Sequence, residues 1–121
     1  MCTILVVEDS PVFRESLKEL LYSHLPAATV EEAVDAEQAL EYLQTASADI
    51  MLVDVRLPGQ SGLELTRRVK DRYPSLPVII VTNYDIEEYR DAAIQYGADD
   101  FVAKGSREFQ SICVRIASLL A

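Results

Sequence analysis

Four short apolar runs in this chain each end in a residue suited to phosphate or metal chemistry. Ile4-Leu5-Val6-Val7 leads into Glu8-Asp9, and Ile50-Met51-Leu52-Val53 leads into Asp54. Val78-Ile79-Ile80-Val81 leads into Thr82, and Phe101-Val102-Ala103 leads into Lys104. Parallel strands buried on both faces read as continuous apolar runs. Their carboxyl ends line up along one edge of the sheet, where open α/β folds bind ligands. Three acids, a hydroxyl and an ammonium then meet in one shallow cleft.

Helix-length segments alternate with these runs, the pattern of an α/β domain. Ser10 is placed to cap a first helix with Pro11 in its first turn, and Phe13, Leu17, Leu20 and Leu21 fall on one face. Pro26 marks the end of that helix. A second strand is expected from about Thr29 to Val34, followed by an Asp35 cap with Gln38 three residues on. The turn-rich Leu57-Pro58-Gly59-Gln60 precedes a Ser61/Glu64 capping pair. Asp85 and Glu88 are expected to open a fourth helix that Gly97 ends. Ser106 is expected to open one last helix with Phe109, Ile112, Cys113, Ile116 and Leu120 inward. Five strands and five helices result, with right-handed crossovers placing helices on both faces. At 121 residues the expectation is one domain, residues 1–121, with no linker or repeat.

The cleft has a charge problem. Two carboxylates 4–5 Å apart repel by roughly 3–4 kcal/mol at an effective dielectric near 20. Glu8, Asp9 and Asp54 together therefore call for compensation, and a divalent cation fits, because Mg²⁺ prefers carboxylate oxygens and waters. Lys104 adds a fixed positive charge. Metal and lysine together would neutralise the oxygens of an incoming phosphoryl group. A carboxylate can be the nucleophile, giving an acyl phosphate, and Thr82 can donate a hydrogen bond to it. Singly, each residue has a plainer role as a cap or a solvated charge; the signal is their coincidence at strand ends.

That coincidence resembles the receiver domain of two-component response regulators, over essentially the whole chain. The acidic pair corresponds to Glu8-Asp9, the phosphoacceptor to Asp54 in Leu52-Val53-Asp54-Val55-Arg56-Leu57-Pro58-Gly59, the switch hydroxyl to Thr82, the lysine to Lys104 and the switch aromatic to Phe101. The resemblance implies a flavodoxin-like (βα)5 fold with strand order 2-1-3-4-5. It implies phosphoryl transfer to Asp54 from a histidine kinase or histidine phosphotransfer protein. It also implies Mg²⁺ held by Asp9, Asp54 and the backbone carbonyl of Arg56, with Glu8 acting largely through water. Lys104 would pair with phosphoryl oxygens, Thr82 would move toward them, and Phe101 would rotate inward. The chain would catalyse only its own phosphorylation and dephosphorylation, and could form one part of a longer regulator with a C-terminal effector such as a DNA-binding domain. Three positions depart from the family pattern: Gly105 stands where proline is common, Asn83 is bulkier than usual, and Phe101 replaces a frequent tyrosine. Arg56 and Tyr84 should flank the acceptor pocket.

The expected output surface is formed by the fourth helix, the fifth strand and the last helix. Ile86, Arg90 and Ile94 form an i, i+4, i+8 stripe there, completed by Phe101 and Ala103, for a dimer or an effector. The kinase side should dock over Pro11, Arg14, Glu15 and the Gly105-Ser106 loop. His24 is expected at the surface, away from the cleft. The net charge of −9 disfavours direct nucleic-acid binding. No apolar run approaches the roughly 18 residues of a membrane span, and no signal peptide is seen, so a cytoplasmic setting with reduced Cys2 and Cys113 is expected.

Two other classes share parts of this pattern. A flavodoxin-like cofactor binder needs a phosphate-cradling loop after the first strand, where Glu8-Asp9 would repel the anion. An aspartyl phosphatase usually carries a second acid two residues after its nucleophile, and Arg56 stands there.

Overall fold

The computed structural model describes residues 2–121. The apolar runs form strands β1 (Thr3–Val7), β3 (Ile50–Val53), β4 (Val78–Thr82) and β5 (Asp100–Ala103), with the more polar β2 (Thr29–Ala33) at one edge. All neighbours pair in parallel, in the order β2-β1-β3-β4-β5. This is the flavodoxin-like arrangement, and β3 and β4 are buried at every position, as their unbroken apolar runs require.

Alternation along the strands divides the core in two. Leu5, Val7, Met51, Val53, Val78, Ile80 and Phe101 face α2 (Ala36–Thr45), α3 (Gly62–Arg72) and α4 (Glu87–Gln95). Ile4, Val6, Ile50, Leu52, Ile79, Val81 and Val102 face α1 (Pro11–His24) and the C-terminal helices. Three expected caps are present. Ser10 Oγ accepts from the Phe13 amide, Asp35 Oδ1 from the Gln38 amide, and Ser61 Oγ from the Glu64 amide. Gly97 ends α4 at φ +94°, a conformation that glycine adopts without Cβ strain.

Two helix expectations are corrected. Asp85 does not cap α4: its carboxylate pairs with Arg90 Nε at 2.5 Å, and Ile86 holds the cap position without a side-chain bond. The last helix is also not continuous. It divides into α5 (Arg107–Gln110) and α6 (Ile112–Leu120) at Ser111. The Ser111 hydroxyl donates to the Glu108 carbonyl at 2.8 Å, competing locally with the helical ladder.

Candidate phosphoacceptor and metal site

Glu8, Asp54 and Lys104 are each anchored by their own backbone amide, one step past a strand end. The Glu8 amide donates to the Ala33 carbonyl (3.0 Å), the Asp54 amide to Val7 (3.1 Å) and the Lys104 amide to Thr82 (2.8 Å). The ladder therefore fixes where these side chains start. Strand order reverses between β1 and β3, the switch point where α/β sheets open a crevice. Glu8 and Asp9 leave one of those strands and Asp54 the other.

Glu8, Asp9 and Asp54 each offer an oxygen within 4.8 Å of the others. Lys104 Nζ donates to Asp54 Oδ2 at 3.0 Å and to Glu8 Oε1 at 2.5 Å, with its side chain only 7% exposed. Glu8 also accepts from the Ser10 amide at 3.1 Å. Burial pushes the Glu8 carboxyl above the ordinary glutamate range; the Lys104 and Ser10 bonds oppose that, and the charge of Asp54 adds to it. Asp9 is exposed and makes no ion pair among the described residues.

Asp54 Oδ1 is buried and accepts no hydrogen bond from the described residues. A buried anionic oxygen left this way is costly. Together with two further carboxylates within reach, it matches the all-oxygen donor set that Mg²⁺ prefers. The residues present therefore fit a divalent cation.

The loop after Asp54 is held close by Gly62. A Cβ there would lie 1.8 Å from the Asp54 carbonyl oxygen, and the Gly62 amide donates to Val55 at 2.7 Å. Thr82 is fully buried, and its hydroxyl accepts from the Tyr84 amide at 3.3 Å, within its own loop. The Arg56 guanidinium lies 4.0 Å over the Tyr84 ring, so these two flanking residues touch each other.

Phe101 and Ala103 are buried, at 7% and 5% exposure. In this conformation they lie beneath the α4-β5-α5 surface, and the Phe101 ring already points inward. Strand alternation accounts for Phe101, whose odd register faces α4. Ile86 and Ile94 are exposed, Ile94 at 76%. Arg90 between them is engaged, pairing with Asp85 and with Glu108 at 2.9 Å, and its guanidinium lies 4.5 Å over Phe101. Arg14 is likewise occupied, donating to the Glu8 carbonyl at 2.8 Å and pairing with Glu32 at 3.0 Å. His24 is exposed, bonded to its neighbours Ser23 and Leu20. Cys2 and Cys113 are free thiols.

Sequence reasoning missed one neighbour of the cleft. Phe13, read only as part of a helix face, places its ring 3.8 Å from Lys104 Nζ. No local signal announces a contact between residues so far apart in the chain.

The family model described as the response regulator receiver domain matches residues 4–116. A cyclic di-GMP phosphodiesterase of Thermotoga maritima is 40% identical over 102 residues, covering 84% of this chain and 27% of that protein. The transcriptional regulatory protein DegU of Brevibacillus brevis is 30% identical over 101 residues, covering 84% of this chain and 43% of its own length. The chain thus spans less than half of either curated relative. Among solved structures, the response regulator TrrA of Thermotoga maritima, crystallised with Mg²⁺ and BeF, superposes with a TM-score of 0.87 at 32% identity. That match covers 99% of this chain and 100% of the other. Among the described residues, no helix is long and apolar enough to cross a membrane.

Proposed function

Because this chain belongs to the response regulator receiver domain family, we propose that it is a phosphorylation-activated switch whose acceptor is Asp54. One observation carries this reading. The Asp54 carboxylate has one oxygen on Lys104 and the other buried without a donor, inside a three-acid cluster. In the proposed reaction an Asp54 oxygen attacks the phosphorus of a phosphohistidine on a histidine kinase or phosphotransfer protein. The P–N bond breaks, the electron pair leaves with the imidazole, and an acyl phosphate remains on Asp54. Transfer of this kind is mostly positioning and charge stabilisation.

The residues divide that work. Asp9 and Asp54 would hold Mg²⁺, with the Arg56 backbone carbonyl as a further oxygen and Glu8 acting largely through water. When bound, the ion supplies neutralisation of phosphoryl charge. TrrA, the relative solved with Mg²⁺ and BeF, supports Mg²⁺ as the ion. Lys104 moves part of its hydrogen bonding from the two carboxylates to phosphoryl oxygens. Thr82 exchanges its tie to the Tyr84 amide for one to the phosphoryl group, drawing the loop ahead of α4 with it. Phe101, under Arg90, links that movement to the α4-β5-α5 face, where Ile86 and Ile94 would meet a second copy or an effector.

The chain acts in this reading as one phosphorylatable unit, residues 1–121, of a longer cytoplasmic regulator. It is not an enzyme beyond its own phosphorylation and dephosphorylation, and it does not bind nucleic acid directly. The relatives that share this segment include a cyclic di-GMP phosphodiesterase and a transcriptional regulatory protein, so the effector is proposed only as a class. The test is Mg²⁺-dependent labelling by a small phosphodonor, comparing the wild type with Asp54→Asn. Label in the wild type alone is expected; equal labelling of both would remove Asp54 from the acceptor role.

A further inference from the structure

The Lys104 ammonium has three N–H bonds to satisfy. Asp54 Oδ2 and Glu8 Oε1 take two, at 3.0 and 2.5 Å. The side chain is too buried for water to be the main third partner. What lies there is the Phe13 ring, its centroid 3.8 Å from Nζ. An aromatic face carries negative charge density and attracts an ammonium, most strongly where water is excluded.

The ring is itself held. Phe13 belongs to the first turn of α1, and its amide is tied to the Ser10 hydroxyl at 3.3 Å. Its ring packs on Phe109 of α5, with centroids 5.5 Å apart and planes tilted by 47°. Phe109 follows the Lys104 loop, so the two aromatics bridge the helix after the acidic pair and the helix after the lysine.

We propose that Phe13 is a positioning residue for phosphoryl transfer at Asp54, its ring holding the Lys104 ammonium while that group exchanges carboxylate partners for phosphoryl oxygens. The proposal rests on the reading of Asp54 as acceptor. An aliphatic side chain can fill the same space in the α1-side core. It has no negative face, so the third N–H would point at hydrocarbon and the ammonium would spread over more positions. Binding of a phosphoryl group then costs more ordering, whereas cation binding at the acids is touched little.

The test uses the whole chain and titrates Mg²⁺ alone, then beryllofluoride at saturating Mg²⁺, with a thermal melt of every variant. Phe13→Leu is expected to weaken beryllofluoride binding about fivefold, with Mg²⁺ affinity held within about twofold. Phe13→Tyr keeps the aromatic face and is expected to bind as the wild type does. Pentafluorophenylalanine at position 13 keeps the ring and inverts its charge distribution, and is expected to behave like leucine. This comparison with tyrosine carries the test if the leucine variant folds poorly. Wild-type affinity in both the leucine and pentafluoro proteins would overturn the proposal and leave Asp54 as acceptor. So would wild-type affinity in the pentafluoro protein alone, because ring shape would then be sufficient. Failure of the wild type to bind beryllofluoride or to take label at Asp54 would overturn the acceptor reading and this proposal with it.

Discussion

Replacing Asp9 with asparagine should stabilise the metal-free protein. Asp9 shares the cleft with Glu8 and Asp54, with an oxygen of each within 4.8 Å of the others. At that separation each pair of charges repels by about 3.5 kcal/mol at an effective dielectric of 20. Lys104 offsets this for Glu8 and Asp54, which it contacts directly. Asp9 lacks such a partner among the described residues, but its exposure lets water screen much of the repulsion. Allowing for that screening, Asp9→Asn should add about 1–2 kcal/mol, or roughly 4–8 °C in Tm for a chain of this size. The assay is a pair of calorimetric melts, one in EDTA and one in MgCl2. In EDTA the variant should melt above the wild type, and about 1 M salt should shrink the gap. In MgCl2 the order should reverse, because ligand at a hundredfold over Kd adds about 2.7 kcal/mol to a protein that still binds it. An Asp9→Asn protein that melts at or below the wild type in EDTA would refute the electrostatic reasoning. An unchanged Mg²⁺ shift would remove Asp9 from the metal site.

Glu8→Gln should show the same trade with a pH signature. The folded-state pKa of Glu8 is raised, so its favourable contribution exists below the unfolded value, about 4.3, and is lost as pH rises through the folded value. The metal-free variant should therefore gain on the wild type between pH 4 and 7.5; a pH-independent gap in Tm would contradict this. Gly62→Ala should cost about 2–3 kcal/mol in a urea titration, since the added Cβ meets the Asp54 carbonyl oxygen at 1.8 Å; a wild-type midpoint would show that the contact relaxes freely. Ile94→Asp, at an exposed site on α4, should weaken phosphorylation-dependent association about tenfold or more while Asp54 labels normally. Unchanged self-association by sizing would remove Ile94 from the output face.

How much of this was legible in the chain follows the range of the interactions involved. The caps at Ser10, Asp35 and Ser61 were readable because donor and acceptor lie three residues apart. Asp85 obeyed the same local rule on paper, yet a guanidinium five residues on took its carboxylate. Ser111 likewise redirected its hydroxyl to Glu108, and one expected helix became two. Neither outcome follows from spacing, because a cap bond and an ion pair compete within about 1 kcal/mol of each other.

The apolar runs by themselves determined the parallel sheet, since only strands covered on both faces tolerate such runs, and with it the edge where Glu8, Asp9, Asp54, Thr82 and Lys104 emerge. Residue chemistry at those ends determined that the edge would be a charged, cation-seeking cleft. Tertiary structure alone decided how the charges are shared. It gave Lys104 both Glu8 and Asp54, left Asp54 Oδ1 buried without a donor, and set Phe13 against the ammonium. It also turned Phe101 beneath Arg90 and off the exposed surface. The physical reason is that strand periodicity acts over two residues and can be read along the chain, whereas these contacts join residues up to 96 positions apart. Their geometry exists only once helices have packed on the sheet.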